Sequence, residues 1–80
     1  MEAFIGTLLR FAGNYAPEGW MLCNGQTLSV NQYQALYSIL GNMYGGDGAH
    51  TFQLPNLNDH QTNAGPVWII CIDGIYPMRS

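Results

Sequence analysis

The chain has 80 residues, 9% of them charged and 48% apolar, with two basic side chains, Arg10 and Arg79, against five acidic ones. A chain of this size is one domain with little core to spare, because it buries only about 60 to 65% of the surface it exposes when unfolded. So few basic residues leave no footprint for a phosphate backbone, which excludes nucleic acid as the main partner, and so little charge of either sign favours self-association.

The N-terminal stretch MEAFIGTLLRF lacks a basic leader followed by a long apolar run, so no signal peptide is read and synthesis in the host cytoplasm is expected. Within it, residues 3–11 carry Phe4, Ile5, Leu8, Leu9 and Phe11 with neither a helical nor a two-residue period. That pattern predicts a short strand buried on both faces and bent at Gly6. Pro17 is expected at the second position of a tight turn, with Gly19 supplying a positive φ. A second strand then runs from Trp20 to Cys23 and is stopped by the turn pair Asn24-Gly25.

SVNQYQALYSILG supplies the helix. Ser29 and Gln32 have capping-box spacing and Gly41 suits the residue just past the end, so a helix over residues 30–40 is predicted. Val30, Tyr33, Leu36, Tyr37 and Leu40 make its apolar stripe, and Asn31, Gln34 and Ser38 face away. Four glycines punctuate the next stretch, GNMYGGDG, before an extended segment, Thr51–Pro55. LNDHQTNAGP reads as an exposed connection. VWIICI, β-branched and aromatic, belongs in the centre of a sheet or at a subunit contact, and is far short of the roughly 20 apolar residues that cross a membrane. The class predicted is α+β: a small single domain, residues 1–80, with short strands packed on one helix.

Chemistry is sparse. Ser29, His50 or His60, and Asp47, Asp59 or Asp73 include the residue types of a hydrolytic triad, but Ser29 is better used as a cap and no GxSxG elbow exists. His50, His60 and a cysteine lack the tight spacing of a zinc site. Cys23 and Cys71 fit neither a CxxC pair nor a disulfide framework and read as buried free thiols. No catalytic residue, metal or cofactor is therefore assigned. The glycines of GGDG allow either a turn that needs positive φ or an amide-lined pocket, with the turn preferred. Tyr15 and Tyr44 sit beside glycine-rich turns, where an aromatic side chain binds at little entropic cost. With Gly45, Gly46, Asp47 and His50 they are the candidate ligand or partner contacts.

GTLLRFAGNYAPEGWMLCNGQTLSVNQYQALYSILGNMYGGDGAHTFQLPNL, residues 6–57, resembles the phage tail collar domain family, which includes tail-fibre segments and small microcystin-dependent-like proteins. The resemblance rests on FAGN-x-AP-x-GW-x-x-CNGQ, the SVNQYQALYSILG helix and YGGDG-x-x-TF-x-LP-x-L in that order, and VWIICIDGIYP is similar to the family's ending. Longer members carry a glycine-rich segment between LPxL and the last strand, where this chain has only NDHQTNAGP. The resemblance implies a non-enzymatic structural or adhesion module of a virion tail or tail-like particle. It would be homo-oligomeric, with a trimer preferred, and would contact tail or baseplate proteins or a cell-surface saccharide. The alternative is a free-standing, phage-derived protein that holds a small molecule, such as a signalling nucleotide or saccharide, in pockets between subunits.

Overall fold

The computed structural model describes residues 3–58 and 66–78. Along these the elements are β1 (Leu8–Phe11), β2 (Trp20–Leu22), β3 (Thr27–Ser29), α1 (Gln34–Leu40), β4 (Thr51–Gln53) and β5 (Val67–Cys71). β5 lies between β1 and β2 in an antiparallel three-stranded sheet, and β3 pairs with β4 in a second, two-stranded one. The class is α+β, mostly β, as the sequence predicts.

The central place expected for VWIICI follows from its composition, and Ile69, Ile70 and Cys71 are all buried. Cross-strand partners share a face. Ile70 therefore sides with Met21 and Leu8, and it joins a core of Ile5, Cys23, Leu28, Leu36, Phe52 and Leu54. The helix and the turn that leads into it add the apolar stripe to that core: Leu36 is buried, Val30, Tyr33, Tyr37 and Leu40 pack against the core, and Asn31, Gln34 and Ser38 are exposed. Cys23 and Cys71 are buried free thiols, and burial pushes the Cys23 thiol up to about 11, so it stays protonated and inert at neutral pH.

The helix is shorter than the capping pattern predicts. Ser29 ends β3, whose ladder with β4 continues as Val30 N–H donates to the His50 carbonyl at 2.9 Å. Residues 30–33 then form a turn in which the Ser29 carbonyl accepts from Tyr33 N–H at 3.1 Å. The helix begins at Gln34 with no side-chain cap. Strand pairing at a distance has overridden a local signal, and it also makes a strand of Thr27–Ser29, which the sequence pattern does not reveal. The far end behaves as predicted: Gly41 has φ +59° and donates to the Tyr37 carbonyl.

β1 is also shorter than residues 3–11, and it is an edge strand with Leu8 and Leu9 half exposed rather than a strand buried on both faces. The bend at Gly6 is present, with φ +91°. Gly6 N–H donates to the Cys71 carbonyl, and Cys71 N–H donates to the Thr7 carbonyl. Two residues oppose one, which is a β-bulge. The turn before β2 closes from Trp20 N–H to the Pro17 carbonyl at 3.0 Å, so Pro17 is its first residue and not its second, with Gly19 at φ +85° in the third place. β2 stops at Leu22, one residue short of Cys23.

Most of the connection read over residues 57–66 lies outside the described residues. Its first two do not match in kind: Leu57 is exposed, but Asn58 is half-buried and highly bonded. Asn58 Nδ2 donates to the carbonyls of Cys23 and Trp68 and to Asn24 Oδ1, while its Oδ1 accepts from Trp68 N–H at 2.7 Å. The side chain sits where β2 has ended and β5 has begun, and it continues the ladder between them.

Candidate functional site

The glycine loop that follows α1 is built around one carboxylate. Asp47 Oδ1 accepts from three backbone amides, Ala49 at 2.8 Å, His50 at 2.7 Å and Thr51 at 2.9 Å. The Asp47 amide donates to the Thr51 hydroxyl at 3.2 Å. An aspartate that bonds the amide two residues ahead is the turn chemistry expected of Asp-Gly; here it extends to two further amides. Gly45, Gly46 and Gly48 all have positive φ, and the loop needs each glycine there because a side chain resists that conformation.

The loop folds back along β4. In the β3–β4 ladder Leu28 and Phe52 face each other, so Thr51 and Gln53 turn their backbone groups outward. Thr51 N–H goes to Asp47, the Thr51 carbonyl accepts from Gly48 N–H at 3.2 Å, and Gln53 N–H donates to the Gly45 carbonyl at 3.2 Å. From behind, Tyr37 donates its hydroxyl to the Gly48 carbonyl at 2.8 Å and rests its ring on Phe52. The segment thus works as a cover for a sheet edge that would otherwise be open. Asp47, Tyr37 and Thr51 form the unit. Tyr37 and Thr51 were missed as loop partners, although the D-x-x-x-T spacing was visible.

The candidate contacts fall in two places. Tyr44, Gly45, Gly46, Asp47 and His50 share the loop, whereas Tyr15 stands on the other sheet with its ring edge-on to Phe11 of β1 at 5.4 Å. Tyr15 and Tyr44 are exposed, and the His50 side chain is 86% exposed with Nδ1 3.8 Å from Asp47 Oδ2. The amides of Gly45, Asp47, Gly48, Ala49, His50 and Thr51 are all donated within the loop and its strand. Exposed along the loop are Met43, Tyr44 and the His50 imidazole. Among the described residues no three of His, Cys, Asp and Glu come close enough together to hold a metal ion, and no helix is long and apolar enough to cross a membrane.

The amides of Thr51, Ala49 and His50 hold the Asp47 carboxyl well below the usual carboxylate range. The group therefore stays ionised in the fold at pH values where the unfolded chain, near about 3.9 for Asp, takes up a proton. Its contribution is complete above that unfolded value and is lost as pH falls through the lower folded one. Melting of the native chain and of Asp47→Asn at pH 5, 4 and 3 checks this. The native protein is expected to melt higher at pH 5, and the gap is expected to narrow steadily towards pH 3; a constant gap would show that the carboxylate's charge does not matter.

Against known families, the description Phage Tail Collar Domain matches residues 6–61. No curated protein matches the chain.

Proposed function

From the premise that this chain belongs to the phage tail collar domain family, we propose that it is a non-enzymatic structural and adhesion module, homo-oligomeric, carried in a virion tail or tail-like particle. The observation that carries this reading is the closed glycine loop. The amides of Gly45, Asp47, Gly48, Ala49, His50 and Thr51 have partners within the loop and its strand, which supports a scaffold role for the family's glycine signature, and the outward side chains Tyr44 and His50 are left for contact. Tyr15, on the other sheet, serves a neighbouring tail or baseplate protein or a second part of the same receptor. The alternative, a free-standing protein that holds a small molecule in pockets between subunits, draws no support from the loop, where most amides already have partners.

The particle itself tests the assignment. In lysates of the strain that carries the gene, an antibody to this chain is expected to find it in the tail-particle fraction of a density gradient. A chain found only in the soluble fraction, while tail proteins band normally, would overturn the particle-bound reading.

A further inference from the structure

β5 is apolar at every position from Val67 to Cys71, the pattern of a strand covered on both faces. One face meets the core through Trp68 and Ile70. Strand side chains alternate, so Val67, Ile69 and Cys71 point the other way, and none of them belongs to the core cluster although Ile69 and Cys71 are buried. On the flanking strands Phe11 is opposite Val67, Leu9 and Leu22 lie on either side of Ile69, and Trp20 is opposite Cys71. This outer face of the sheet therefore carries no charged, amide or hydroxyl side chain on any of its strands.

The chain covers that face only in part. β1 and β2 both run antiparallel to β5 and hence parallel to each other, so residues 12–19 cross one face of the sheet, and the Tyr15 ring against Phe11 puts the crossing on the outer one. The N-terminal segment adjoins the same face, where the Cys71 thiol donates to the Ala3 carbonyl at 3.9 Å. There Phe4 pairs with Ile75 in a parallel bridge; since Ile5 enters the core, Phe4 and its cross-strand partner turn away from it. Leu9, Phe4 and Ile75 remain 38%, 54% and 44% exposed. Outside the described residues the sequence has only Met1 and Ala64 as apolar side chains, too little to cover them.

Resting on the homo-oligomeric reading, we propose that this outer face is the subunit contact and that its occupant is the same face of further copies of the chain, three of them meeting about one axis. A face without charge suits a permanent contact between identical chains, whose interfaces resemble a core cut in half; a transient partner meets a surface about as polar as the rest. A closed ring of like faces leaves none of them bare, and it gives an 80-residue chain the apolar burial that its own small core lacks. VWIICI then takes both places that its composition suits, the centre of a sheet and a subunit contact.

Leu8 and Leu9 make the test, because they are neighbours on opposite faces of β1 and are 39% and 38% exposed. The purified full chain is expected to sediment as a trimer at micromolar concentration. Leu9→Asp and Phe4→Asp are each expected to weaken association at least tenfold and Leu8→Asp to leave it unchanged, with the far-UV circular dichroism of the native fold kept in all three. The tryptophans give a second reading that adds no charge. In a Trp68→Phe chain the remaining Trp20, on the outer face, is expected to become more open to acrylamide quenching as dilution dissociates the protein, whereas in a Trp20→Phe chain Trp68, on the core side, is expected not to change. A trimer that survives both Leu9→Asp and Phe4→Asp, or Trp20 quenching that stays constant through dissociation, would overturn this contact and leave the homo-oligomeric reading standing, as would a native dimer. A native monomer would overturn both.

Discussion

Gly46→Ala is expected to lower the melting temperature by more than any other single methyl group added to the loop. A Cβ at this position would lie 2.5 Å from Phe52 Cα, 2.6 Å from the Thr51 carbonyl oxygen and 2.9 Å from Phe52 N, at φ +97°. All three are backbone atoms of the strand the loop covers, so no side chain can swing away to make room. Overpacking of this kind costs about 1–3 kcal/mol, and a non-glycine residue at positive φ adds about 1 kcal/mol. At roughly 4 to 8 °C for each kcal/mol in a domain of this size, the unliganded variant should melt 10 °C or more below the native chain. A shift under 2 °C would mean that the loop does not seat against β4 and that its glycines serve something other than the fold.

Asn58→Ala is expected to cost nearly as much, for the opposite reason: it removes atoms that nothing else replaces. Trp68 N–H loses its acceptor at the start of β5, and the Cys23 carbonyl and Asn24 Oδ1 lose a donor. Leaving a half-buried polar group unpaired costs about 1–3 kcal/mol, and the network makes the groups fail together, so a loss of about 2–3 kcal/mol is expected in urea melts. Asn58→Asp separates geometry from packing. It keeps an acceptor for Trp68 N–H but has no N–H to give, and it should fall between alanine and the native residue. If alanine is neutral, the ladder between β2 and β5 holds without the side chain.

Where burial and periodicity act alone, the sequence is a good guide: VWIICI, expected at the centre of a sheet or at a subunit contact, is the middle strand of its sheet, and the stripe from Leu36 to Leu40 faces the core. It failed wherever a distant strand competed with a local motif. S-x-x-Q spacing is a good helix start in isolation, yet β4 reaches Ser29 and Val30 first, and no local pattern carries that information. Asn58 was hidden for a related reason. An asparagine in a polar run looks like solvent-facing loop, and only the places where β2 stops and β5 starts reveal the gap its amide fills. The loop lay between these extremes: its glycines and Asp-Gly step announced a turn, but that the turn covers a strand edge depends on β4 pairing with β3. The separation of Tyr15 from the other candidate contacts likewise depends on which sheet each adjoins.

The position of β5 has a consequence for how the protein comes to be folded. β1 and β2 are near neighbours in the chain but never touch as partners; each waits for β5, with Leu8 meeting Ile70 and Met21 meeting the same residue from the other side. Pairings so distant in sequence carry a large loop-closure cost and form slowly. On the ribosome the helix and the β3–β4 pair can assemble early, while the first two strands remain bare hydrophobic segments until β5 emerges and slots between them. The chain therefore passes through a period of greatest exposure just before β5 emerges, and a premature stop ahead of residue 67 would release β1 and β2 without the strand that joins them.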